Sequence, residues 1–125
     1  MQLSAISDGK SRLPGTEMSA QTRLLKTLAH PARLALVAAL RTDEACACHL
    51  AAVLRRPRPY VSQQLAILRR AGLISGRREG TFIYYRLRDY AVLGMLDLAG
   101  RLSGTSPAHA RPPRACRCPR CRRGR

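Results

Sequence analysis

Acidic side chains are scarce in this chain: seven Asp and Glu stand against 23 Lys and Arg over 125 residues, a formal net charge of +16. No acidic run neutralises that charge locally, so the composition implies a polyanionic partner. No stretch approaches the ~20 consecutive apolar residues that span a bilayer, and residues 1–14 lack the apolar segment of a secretory signal. These absences predict a cytoplasmic protein with no membrane partner. Also missing are a Ser/His/Asp set, a carboxylate pair and a glycine-rich phosphate loop, which argues against an enzyme. The five cysteines are odd in number and clustered, as Cys46-Ala47-Cys48 and Cys116-Arg117-Cys118-Pro119-Arg120-Cys121. A disulfide framework would disperse them, so they read first as metal-binding or redox thiols in a reducing compartment.

The length suits one compact domain with tails. Residues 1–18, without periodicity, read as a flexible arm, and residues 104–125, rich in Arg, Pro, Gly and Cys, as a basic tail. Between them, over residues 19–103, the pattern is regular. Leu24, Leu25 and Leu28 predict a helix over about residues 19–29, which His30-Pro31 interrupts. Pro31 suits the first position of a second helix carrying Leu34, Val37, Ala38 and Leu40 and ending near Arg41. A short helix follows from about Ala47 to Leu54. After the break Arg55-Arg56-Pro57-Arg58-Pro59, a fourth helix runs over about residues 60–71, with Pro59 at its first position and Gly72 as its stop.

Two helices across so short a break make a helix-turn-helix. Val61, Leu65 and Leu68 form the inward stripe of its second helix and send Tyr60, Ser62, Gln63, Arg69 and Arg70 outward. Residues 73–78 and 81–87, joined by Glu79-Gly80, read as a basic β-hairpin, a wing. Asp89 caps a last helix bearing Val92, Leu93, Leu96 and Leu102, whose stripe exceeds what so small a monomer can cover. The predicted fold is therefore mainly α with a small β-hairpin, in the order α-α-α-α-β-β-α, a winged helix-turn-helix that dimerises through its first and last helices.

Arg55, Arg56, Arg58, Arg69, Arg70, Arg77 and Arg78 surround the helix-turn-helix, with no acidic residue between positions 55 and 78. Phosphate neutralisation on double-stranded DNA needs this distribution, and short polar side chains early in the second helix then reach base edges. Ser62 and Gln63 are the base-reading candidates, since Gln pairs bidentately with adenine. Arg56, Arg58, Tyr60, Gln64, Arg69, Arg77 and Arg78 complete the expected DNA-binding set.

Leu28-Ala29-His30-Pro31-Ala32-Arg33, Val61-Ser62-Gln63-Gln64-Leu65 and Leu68-Arg69-Arg70-Ala71-Gly72-Leu73-Ile74, with the wing residues Tyr84-Tyr85-Arg86-Leu87, resemble the ArsR/SmtB family of metal-responsive repressors over about residues 20–102. The resemblance implies a homodimer on operator DNA, released when a metal ion is captured. Two departures concern DNA reading: Gln64 stands where the family often has His, and Arg56-Pro57-Arg58-Pro59 replaces its usual turn. Cys46-Ala47-Cys48-His49-Leu50 resembles the family's thiol sensing motif, with Ala51 where arsenic-type members often carry a third Cys. A second metal site known in zinc-sensing members is missing its residues on the last helix.

Soft thiolates at Cys46 and Cys48 select a thiophilic metal or metalloid ion. As(III) is the favoured effector, with Cd(II), Pb(II) and Zn(II) as alternatives. Both cysteines straddle a helix start, where the macrodipole favours thiolate; on non-helical backbone i and i+2 can point the same way, whereas on a helix they diverge by ~200°, and capture would then require local unwinding. Cys116, Cys118 and Cys121 could offer the third ligand from either subunit, could bind a metal by themselves, or could belong to an incidental basic tail, and His49 reads more readily as a surface or capping residue than as a nitrogen ligand. Two other readings stay open: a thiol redox switch on the same scaffold, and a zinc-stabilised nucleic-acid binder that senses nothing.

Overall fold

Prolines at first turns and apolar stripes at helical spacing set most element boundaries in the computed structural model, which describes residues 15–105. Helix α1 spans Gly15–Leu28 and α2 spans Pro31–Ala39. The strand β1, Ala45–Cys46, leads directly into α3, Ala47–Leu54, and α4 follows as Arg58–Arg70. Strands β2, Ile74–Glu79, and β3, Phe82–Leu87, form the hairpin, and α5, Ala91–Ser103, ends the fold. The winged helix-turn-helix order expected from the sequence is present.

The structure also departs from the periodicity in places. Helix α1 starts at Gly15, so it takes in residues 15–18 that composition assigned to the arm. Helix α4 starts two residues early, with Pro57 as its cap and Pro59 inside the first turn, where a missing N–H costs nothing. The hairpin is part of a three-stranded antiparallel sheet in the order β1-β3-β2, because Ala45 pairs with Tyr85 and Cys46 with Tyr84. A two-residue strand has too few positions to show a period of two, which is why the pattern omits it.

Caps account for the remaining helix ends. The His30 side chain accepts the Ala32 N–H through Nδ1 at 3.2 Å, a partner no local pattern indicates. Asp89 accepts the Ala91 N–H at 2.9 Å and so serves the start of α5, although Tyr90 holds the cap position itself. Gly72 lies at φ +78° after α4, and Gly80 at φ +61° supplies the first turn residue of the wing.

The core gathers Leu36, Val37 and Leu40 from α2, Leu50 from α3, Val61, Leu65 and Leu68 from α4, Ile74, Tyr85 and Leu87 from the sheet, and Val92 and Leu93 from α5. Arg41, just beyond α2, grips Asp97 on α5 at 2.6 Å and holds that carboxyl below its ordinary range. Apolar side chains remain uncovered on α1, α2 and α5: Leu25, Leu34, Leu98 and Leu102, the last 90% exposed.

One expected DNA-facing side chain is turned inward. Gln64 is 8% exposed, because positions 61, 64, 65 and 68 make up the full i, i+3, i+4, i+7 stripe of α4. Its Oε1 accepts from Arg33 Nε at 2.9 Å, and Arg33 Nη1 donates to the Thr27 carbonyl at 3.0 Å. Gln64 therefore ties α4 to α1 and α2, with its amide oxygen bonded inside the protein. Gln64→Ala should lower unfolding stability by ~1–3 kcal/mol, the cost of stranding a part-buried donor. Urea denaturation checks this; an unchanged midpoint would show that the bond does not hold α4.

Candidate functional site

Two sites lie side by side on the helix-turn-helix unit: a basic surface on α4 and the wing, and a thiol pair at the start of α3.

The basic surface follows from the same stripe that buries α4. With Val61, Gln64, Leu65 and Leu68 inward, Ser62, Gln63, Ala66, Arg69 and Arg70 are exposed. Ser62 and Gln63 thus occupy the N-terminal half of the outer face of α4, flanked by exposed Arg56 and Arg58. Tyr60 is half-buried, with the Arg56 guanidinium 5.3 Å from its ring centre. Arg69 stands 6.0 Å from the Tyr85 ring centre on the sheet. Such contacts favour particular directions for these long cations, which would lower the entropy lost on meeting an anion.

In the wing, Arg78 is exposed, and no ion pair is found for it among the described residues. Arg77 differs. Its Nε donates to Glu44 Oε2 at 3.0 Å, its Nη2 to the other oxygen of Glu44, and its Nη1 to Glu79 Oε2 at 3.0 Å. The Glu44 hydrogen bond, then that of Glu79, raises the guanidinium pKa further above its already high value.

The thiol pair depends on a junction. Cys46 is the last residue of β1 and the N-cap of α3, with extended dihedrals of φ −82° and ψ 162°. Its Sγ accepts the His49 N–H at 3.4 Å. Because Cys46 sits outside the helix while Cys48 sits in its first turn, the divergence expected of two helical residues does not arise. Their sulfurs are 2.9 Å apart, and no disulfide joins them. The local unwinding that a helical pair would require is therefore unnecessary for bringing the thiols together. Two metal–sulfur bonds of ~2.3 Å bridge sulfurs up to ~4.6 Å apart, so one soft ion could reach both. Cys46 is buried, Cys48 half-buried, and both pack with Tyr84 and Phe82 in a small cluster beside the main core.

Burial lowers the His49 imidazole below its ordinary pKa of 6.5, which favours the neutral ring. Among the described residues, however, no set of three or more His, Cys, Asp or Glu is gathered for a metal ion. Cys116, Cys118 and Cys121, expected as ligands, lie outside the described residues. The pairing of Glu44 with Arg77 was not foreseen, since neither the i to i+33 separation nor the charge pattern signals it.

Comparison with known proteins agrees with this fold. The family model described as bacterial regulatory protein, arsR family, matches residues 30–75, which contain α2, α3 and α4. The chain is 42% identical over 77 residues to the HTH-type transcriptional repressor SmtB of Mycobacterium tuberculosis, covering 62% of this chain but only 57% of that protein. It is 46% identical over 83 residues to the biofilm growth-associated repressor of Agrobacterium fabrum, covering 65% of this chain and 71% of the relative. The crystal structure of the transcriptional repressor BigR from Xylella fastidiosa superposes with a TM-score of 0.64 at 28% identity, over 82% of this chain and 96% of BigR. These relatives are named as repressors, not as enzymes, and among the described residues no helix is long and apolar enough to cross a membrane. Since the matched segment runs through the helix-turn-helix and the likeness extends over most of a relative's length, this chain belongs to the arsR family of bacterial regulatory proteins.

Proposed function

We propose that this protein is a transcriptional repressor that holds operator DNA through α4 and the wing and releases it when Cys46 and Cys48 capture a thiophilic metal or metalloid ion. The observation that carries the sensing half is the 2.9 Å approach of two thiols at the start of α3, the first helix of the DNA-binding unit. Thiolates select soft ions over Mg or Ca. A bound ion would supply charge and fixed sulfur spacing there; Cys46, as strand end and helix cap, would carry the resulting shift into α3 and β3.

Within this reading As(III) is the favoured effector. A trigonal arsenic site takes a third thiolate, for which the tail cysteines Cys116, Cys118 and Cys121 are the candidates. Replacing either Cys46 or Cys48 by Ser should leave DNA binding without ion within about threefold of wild type, because Ser caps helices well at position 46 and is close to Cys in size and helix propensity at position 48, while abolishing release by ion. Titrating As(III), Cd(II), Pb(II) and Zn(II) into the protein–DNA complex checks this and ranks the ions. Release at the wild-type concentration from the single variants would refute the thiol site. Release by As(III) from a chain with Cys116, Cys118 and Cys121 all replaced by Ser would remove the tail from it.

DNA reading is assigned to Ser62 and Gln63, exposed on α4, with Arg56, Arg58, Arg69 and Arg78 on phosphates. Gln63→Ala should weaken specific binding by ~1–3 kcal/mol and leave binding to random duplex nearly intact. An equal loss on both would show that Gln63 does not read bases.

The uncovered Leu25, Leu34, Leu98 and Leu102 support a homodimer through α1 and α5, in which α2 also takes part. A two-fold dimer sets its recognition helices ~34–36 Å apart and protects two half-sites. Leu98→Glu together with Leu102→Glu should give a monomer in sedimentation at micromolar concentration and protection of one half-site at most. A wild-type chain that sediments as a monomer under the same conditions would contradict the dimer.

A further inference from the structure

Strand alternation gives the sheet two chemically different faces. Ala45, Gly76, Tyr85, Ile74 and Leu87 share the face toward the core. Cys46, Tyr84 and Arg77 share the other, in one row across three strands: Cys46 is opposite Tyr84, and Tyr84 is opposite Arg77. The row is in contact throughout. Cys46 and Tyr84, each 1% exposed, pack together, and the Arg77 guanidinium lies 4.9 Å from the Tyr84 ring centre.

A second link runs parallel to the first. Glu44 is two residues before Cys46, and its side chain, 13% exposed, accepts two hydrogen bonds from Arg77. Glu79, near the tip of β2, takes the third guanidinium nitrogen. Arg77 thus spends each nitrogen on a carboxylate, and the trio Glu44, Arg77 and Glu79 sums to a charge of −1. Turning Arg77 toward a phosphate would give up a bidentate, charge-assisted pair to gain another. A planar guanidinium stacked on a ring and forked onto a carboxylate is suited to fixing a position.

We infer that Arg77 is a positioning residue that transmits the state of the Cys46–Cys48 pair to the wing, through Tyr84 on one side and Glu44 on the other. The inference rests on the reading of that pair as the sensing site, and it withdraws Arg77 from the phosphate contacts expected from the sequence. A change at Cys46 reaches Tyr84 through the β1–β3 pairing and reaches Glu44 along the backbone, and both converge on one guanidinium in β2. The account has the form of allosteric coupling: an energy shared between two sites through contacts that differ between two states.

The test uses the full chain, Cd(II) as the ion, and a duplex selected by the wild-type chain from random sequence. Three quantities are read: Cd(II) affinity from thiolate-to-metal charge-transfer absorption, duplex affinity without Cd(II), and the fold loss of duplex affinity at saturating Cd(II). Glu44→Gln keeps the shape of the side chain and removes the ionic grip. Its Cd(II) affinity should stay within about threefold of wild type, while the Cd(II)-induced loss, typically ~5–150-fold for allosteric coupling, falls to about twofold or less. Arg77→Lys keeps the charge but cannot fork, and its Cd(II)-induced loss, taken against its own ion-free affinity, should fall in the same way. Wild-type coupling in both variants overturns the inference. So does a collapse of Cd(II) affinity in Glu44→Gln, which would make Glu44 a ligand instead of a link. A wild-type chain that takes up Cd(II) at the thiols and keeps the duplex refutes the sensing reading itself, a result separable from either variant.

Discussion

The arrangement depends on one residue satisfying three demands. Cys46 ends β1, so its backbone must be extended to pair with Tyr84; it caps α3, which the same dihedrals allow; and its sulfur must lie within reach of Cys48. Extended backbone at the cap makes all three compatible. Were Cys46 one residue deeper in α3, the two side chains would point apart, and β1 would lose its pairing. The thiol chemistry is thus tied to a place where strand, helix and wing meet, and a displacement of that sulfur cannot be confined to the loop that carries it.

The surplus positive charge is sorted by this architecture. The arginines on α4, in the turn before it and at Arg78 are exposed, as the proposed contact with a phosphate backbone requires. Arg77 and Arg41 are tied to carboxylates instead, Arg77 to Glu44 and Glu79 and Arg41 to Asp97. With only seven acidic residues in the chain, using three of them on two arginines marks those arginines as structural. Exposed ion pairs contribute little stability by themselves, so their value lies in the positions they fix.

Much of the fold was legible in the sequence, because its boundaries come from strong local signals. Pro31 at a first turn, Gly72 after α4 and the Val61, Leu65, Leu68 stripe act within a few residues, and a period of 3.6 or 2 is readable there. Three features were not legible, each for a physical reason. Strand β1 is too short to show a period. Gln64 completes the buried stripe with a polar side chain, so hydrophobic patterning leaves it out of that stripe and its polarity reads as DNA-facing. The grip of Glu44 on Arg77 joins residues brought together only by the sheet. The structure thus adds what tertiary pairing decides: which polar groups are used internally and which face outward.

The central claim is that one thiol pair and one DNA surface share a coupling energy. Linkage makes the effect reciprocal: if an ion weakens DNA binding by some factor, DNA must weaken ion binding by the same factor. The most direct measurement is therefore a titration of the releasing ion into the free protein and into its saturated DNA complex, following the thiolate–metal absorption. The account predicts weaker ion binding in the complex, by the factor found for DNA release. Equal ion affinities in the two titrations would contradict it, since the thiols and the DNA surface would then be independent.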